Sequence, residues 1–144
     1  MKKLIISFLI LLASAISVSV YADESIVYAG TIGQYDIHMI LDIHSYEGYY
    51  YYDHRPQSHF KLVKTRLLEC DDDDDCVIGV HVTLQEYAPG TNKNTGEFVG
   101  TFCHGFEAGI SLTTFEGTFR NKTTGKTLPF VLYHASQYYN IEIE

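Results

Sequence analysis

Apolar and polar residues alternate with a period of two over most of this chain, the spacing of a strand with one buried and one wet face. The clearest stretch is Gln34–His44. There Ile37, Met39, Leu41 and Ile43 fall on one side, and Asp36, His38, Asp42 and His44 on the other, interrupted only by Ile40. Ser25–Ile32 precedes it as a first strand, with Gly30 and Gly33 marking a close backbone approach and a turn. After a second turn at Ser45–Gly48, the strand Glu47–Asp53 carries four consecutive tyrosines, Tyr49 to Tyr52, so two rings face each side. Phe60–Glu69 is a fourth strand, less cleanly patterned because Lys61, Lys64 and Arg66 are interleaved.

Cys76–Tyr87 returns to strict alternation, with Ile78, Val80, Val82 and Leu84 as its core face. Glu97–His104, Ile110–Arg120 and Lys126–His134 complete the set, separated by the turn-rich segments APGTNKNTG and NKTTG. Within Ile110–Arg120 the phase changes between Leu112 and Phe115, which predicts a bulge near Thr113–Thr114. The tail from Ala135 fits a short helical turn and an edge strand equally well.

Eight short strands with regularly spaced turns predict an all-β fold, an antiparallel up-and-down meander closing into a small barrel, with a β-sandwich as the alternative. Closure removes the exposed sheet edges that invite aggregation. A Gly-x-aromatic unit recurs at Gly48–Tyr50, Gly96–Phe98, Gly100–Phe102 and Gly117–Phe119. A glycine followed by an inward ring bends a strand sharply while keeping its core contact.

The segments GTIGQYDIHMILDI, GYYYYD, VTLQEY, GEFVGTF and FEGTFRNKTTGKTLPF resemble a set of small exported bacterial proteins. Their shared pattern is IGxYxIxMxLxI, GxYxY, LxEY, GxFxG and TxKxLPF. The resemblance covers Tyr28 to Val131 and implies a barrel-like fold and export. It implies no active residues, because its motifs are glycines, aromatics and turns.

Residues 1–22 change the picture at the amino end. Lys2 and Lys3 precede an apolar run from Leu4 to Val20, and Val20-Tyr21-Ala22 suits a signal peptidase. The expectation is a signal peptide cleaved before Asp23, a single domain over residues 23–144, and a periplasmic or secreted location. No membrane span is expected after cleavage, and a monomer is. The formal charge of −8 becomes −10 once Lys2 and Lys3 are removed. Such a surface repels phosphate backbones, which argues against nucleic acid, and steers a basic protein partner inward.

Three cysteines, Cys70, Cys76 and Cys103, allow one bridge and leave one thiol. Cys70 and Cys76 flank a five-aspartate loop and are the expected pair, with a bridge from either to Cys103 as the alternative. The adjacent carboxylates of Asp71, Asp72, Asp73, Asp74 and Asp75 repel, so water, salt, a basic partner or a hard cation must offset them. The loop lacks the glycine and glutamate of a calcium-binding EF-hand, so no resident cofactor is expected, Ca²⁺ being the one candidate there. No histidine pair has zinc spacing, and no metal site is expected. Nucleophile-elbow, HExxH and phosphate-loop motifs are absent, and no carboxylate stands in a visibly apolar setting.

The candidate contact residues are therefore the aspartate loop, Tyr49 and Tyr51, and the polar set His38, Asp42 and His44. They point to an exported, non-catalytic binding protein, of inhibitor or immunity type, for a basic envelope enzyme or toxin. A small-ligand-binding barrel and a structural envelope protein are the alternatives.

Overall fold

A computed structural model describes residues 25–42, 44–69, 78–107 and 110–135. Its elements are eight strands: β1 (Ser25–Ile32), β2 (Tyr35–Asp42), β3 (Gly48–Tyr52), β4 (Phe60–Glu69), β5 (Ile78–Tyr87), β6 (Asn94–Glu107), β7 (Ile110–Asn121) and β8 (Thr127–His134). Each pairs antiparallel with the next, and β8 pairs back onto β1 from Tyr28↔His134 to Ile32↔Phe130, closing the barrel. The sandwich alternative is thereby excluded. No helix of the described residues is long and apolar enough to cross a membrane.

Alternation does what the pattern predicts. Ile37, Met39 and Leu41 of β2 are buried, as are Val82 and Leu84 of β5. The rings of Tyr50, Phe98, Phe102, Phe115, Phe119 and Phe130 fill the lumen. Phe102 and Phe115 stack with centroids 3.9 Å apart, and Phe130 meets Phe115 edge-on at 4.9 Å. Burying one such side chain stabilises the fold by about 1.5–3 kcal/mol. Where side chains are described, the lumen is a packed core.

All four aromatics of the Gly-x-aromatic units are buried, and the glycines give them room. Gly100 and Gly117 face each other across β6 and β7. A Cβ on Gly100 would lie 2.6 Å from the Phe130 ring, and one on Gly117 would lie 2.0 Å from the Val99 carbonyl oxygen. The strands can approach this closely only without side chains there.

Two expectations are corrected. β7 pairs with β6 without interruption from Gly96↔Asn121 to Glu107↔Ile110, so no bulge sits at Thr113–Thr114. The irregularities fall instead between Lys64 and Arg66, and between Glu86 and Tyr87. The first explains why β4 looked poorly patterned: Thr65 is an extra residue, and beyond it Leu67 and Leu68 emerge to solvent. The second lets β6 begin at Asn94, paired with Tyr87, inside what reads as a loop by composition.

The connections β1–β2, β3–β4, β5–β6 and β7–β8 share one end of the barrel, here the upper end. The start of β1, the end of β8 and the other connections mark the lower end.

Candidate functional site

At the upper end the wall opens into a cleft of about 500 Å³. Tyr35, Tyr52 and Phe60 supply its ring faces, His54, Arg55 and Ser58 its polar groups, and Pro89 its far rim. Tyr52 stands near-perpendicular to both Tyr35 (6.1 Å, 85°) and Phe60 (6.0 Å, 88°), so three ring planes converge. Arg55 is held by two consecutive turns: its backbone N–H donates to the Tyr52 carbonyl at 2.8 Å, and its own carbonyl accepts from Ser58 N–H at 3.1 Å.

Beneath the cleft runs a buried polar chain. The Tyr52 and Tyr50 hydroxyls are hydrogen-bonded to each other, and the Tyr50 hydroxyl donates to Glu86 Oε2. Thr95 Oγ1 donates to Glu86 Oε1 at 2.6 Å. Glu86 is only 3% exposed, in phase with Val82 and Leu84 on β5. Burial raises its pKa above the ordinary glutamate value, partly countered by the Thr95 and Tyr50 hydroxyls. Burial likewise raises Tyr52, and holds Tyr50 well above the usual tyrosine range, reinforced by the nearby Glu86 charge. Gly96 makes space for the carboxylate: a Cβ there would lie 3.0 Å from Glu86 Oε1 and 2.6 Å from the Phe119 ring.

The outward half of the tyrosine run builds a second feature. His38 stacks on Tyr51 (5.6 Å, 11°), Tyr51 on His59 (5.5 Å, 23°), and His59 on Tyr49 (4.4 Å, 10°). The result is a continuous ladder of four rings on the outside of β2, β3 and the loop before β4. It is pinned at one end by His38 Nδ1 to Asp53 Oδ1 at 2.6 Å, and near the other by His59 Nε2 to the Pro56 carbonyl at 2.9 Å.

The structure thus unites His38, Tyr49 and Tyr51 from the sequence-derived set and adds His59. Asp42 and His44 are elsewhere. β2 ends at Asp42, whose Oδ1 accepts from the backbone N–H groups of His44 (2.8 Å) and Ser45 (2.9 Å). Those two bonds, Ser45 first, lower the Asp42 pKa. Asp42 is therefore a turn-former at the end of β2, on the same outward side of the strand as His38, whereas His44 lies beyond the strand in the turn and does not extend that face. The same turn places Tyr46 at φ 58° and its ring 5.2 Å from that of Phe102. Glu116 is exposed on β7, so no carboxylate pair forms among Asp42, Glu86 and Glu116.

Asp71–Asp75, Cys70 and Cys76 lie outside the described residues, as does the pairing expected of those cysteines. Cys103 is half-buried on β6 opposite Gly79 and is not a free thiol. Among the described residues no group of three metal-ligating side chains comes together.

Half of the described basic side chains gather on the upper connections. The described residues carry nine carboxylates and eight Lys or Arg side chains, close to balance. Four of those bases, Arg55, Lys93, Lys122 and Lys126, lie on the upper connections beside one acid, Asp53. The other nine carboxylates of the chain, at residues 23–24, 71–75, 142 and 144, lie outside the described residues.

Sequence reasoning missed Glu86 and the cleft. The signal for Glu86 was present, since extending the period of two by one step from Leu84 puts it inside. The cleft had no such signal, because its residues come from β2, β3, β4 and two loops. No family model, curated protein or solved structure matches this chain.

Proposed function

We propose that this is an exported, non-catalytic binding protein that engages a basic partner through its acidic segments, Asp71 to Asp75 above all, in the manner of an inhibitor or immunity protein for an envelope enzyme or toxin. The division of charge carries the reading. The described barrel is close to neutrality, so the surplus acid of the chain belongs to residues 23–24, 71–75, 142 and 144, five of them consecutive aspartates, and so dense a local charge steers a basic partner toward it. The packed lumen supports it, since a filled interior leaves the outer surfaces for binding. Export rests on the amino-terminal pattern of residues 1–22.

The test is capture from envelope extract at increasing salt, with the mature protein and a variant in which Asp71 to Asp75 are all replaced by asparagine. Capture should weaken steeply with salt and with the fivefold variant. Capture unchanged by either removes the aspartate loop from the interface. If Tyr49→Ala and Tyr51→Ala abolish capture instead, the ring ladder is the contact surface.

A further inference from the structure

We infer that the cleft at the upper end is a binding site for a small ring-bearing carboxylate, an aromatic acid or an acidic sugar. The volume of about 500 Å³ suits a single substituted ring. Tyr35, Tyr52 and Phe60 offer faces in nearly orthogonal planes, so one ring stacks on one face while its edge meets another.

The charge of the ligand follows from the lining. Arg55 holds the one permanent charge among the cleft residues, and it makes no ion pair with any described residue. The nearest acid in sequence, Asp53, is engaged with His38 on the outer face at 2.6 Å. The remaining acid close to the floor, Glu86, is sealed by the Tyr50 and Thr95 hydroxyls, and its burial favours the neutral form. A guanidinium with its fork unoccupied by any described residue selects a planar anion, which it grips with two parallel N–H bonds. Ser58 and His54 stand beside it as further hydrogen-bonding groups. A cationic ligand meets Arg55 with nothing in the lining to offset it. Lys93, Lys122 and Lys126 on the neighbouring connections add to the attraction for an anion.

The site also has a built floor. Tyr52 lines the cleft and is hydrogen-bonded to Tyr50, which donates to Glu86. The ligand therefore rests on a ring fixed from below, with little rotamer entropy left to lose on binding. This site does not depend on the partner proposed above.

The experiment is titration of the ¹⁵N-labelled mature protein with phenylacetate, glucuronate and benzylamine, followed by amide chemical shifts. One or both carboxylates should bind in roughly the millimolar range or tighter. The shifts should centre on Tyr35, Tyr52 to Phe60, and Gly90 beside Pro89. Response to phenylacetate alone assigns an aromatic acid, and response to glucuronate alone an acidic sugar. Arg55→Ala should weaken binding by about tenfold or more, and Tyr35→Ala, at a strand start that is already 46% exposed, should weaken it without unfolding the barrel. No localised shift with either carboxylate, equal binding of benzylamine, or affinity unchanged in Arg55→Ala overturns the inference.

Discussion

Replacing Glu86 by glutamine isolates the effect of a buried charge, because the side chain keeps its shape and its place between Tyr50 and Thr95. Burial raises the pKa of Glu86 in the folded state above the value of 4.5 that the unfolded chain restores. For an acid shifted upward, the folded state binds the proton more tightly. Below pH 4.5 both states hold the proton and no penalty applies. As pH rises past 4.5 the unfolded state ionises first, so wild-type stability falls until the folded-state pKa is passed. The slope for one such group is at most about 1.4 kcal/mol per pH unit. Glutamine does not titrate, so the two proteins should be closest near pH 4, and the variant should gain on wild type through the weakly acidic range. Glu86→Ala separates the hydrogen bonds from the charge. It leaves the fully buried Tyr50 hydroxyl without its carboxylate acceptor, at a cost of about 1–3 kcal/mol that persists at every pH. The assay is urea unfolding at intervals from pH 3.5 to 8, read by circular dichroism. A stability difference between wild type and Glu86→Gln that stays flat with pH refutes the reasoning. So does a wild type that gains on the variant as pH rises, since that requires the hydroxyls to outweigh desolvation.

Other outcomes follow from the same packing. Gly117→Ala forces a methyl group against the Val99 carbonyl, and should lower the melting temperature by several degrees or prevent folding, whereas Gly125→Ala, on an open turn at φ 74°, should cost far less. Phe115→Ala removes a fully buried ring stacked on Phe102 and should destabilise by about 3–5 kcal/mol in urea unfolding, with no new transition. Because Cys103 is not a free thiol, the bridge of the protein is expected to include it, in place of the Cys70–Cys76 pair; peptide mapping without reduction that finds those two joined and Cys103 alkylated would refute this.

The strands were legible because each rests on local rules. Ile37, Met39 and Leu41 state a buried face by spacing alone, and the four Gly-x-aromatic units state where the wall must bend with a ring beneath it. Phase breaks were harder to read. The change between Leu112 and Phe115 suggested a bulge, yet β7 runs unbroken there, and the bulge that matters is at Thr65, where three basic residues obscured the period. Spacing along one strand also overreached with His44. It shares the parity of His38, but Asp42 turns the chain before the face can extend that far.

The sequence by itself determined the number and direction of the strands, which tyrosines point inward, and how much acid the chain carries. Those properties depend on neighbours two residues apart and on simple counts. Tertiary structure alone decided that the barrel closes, that Tyr50, Thr95 and Glu86 meet in its wall, and that Arg55 stands beside three converging rings with no ion pair to any described residue. Each of these joins residues from strands distant in sequence, and it is barrel closure and register, set by the packing of the whole core, that bring them within reach.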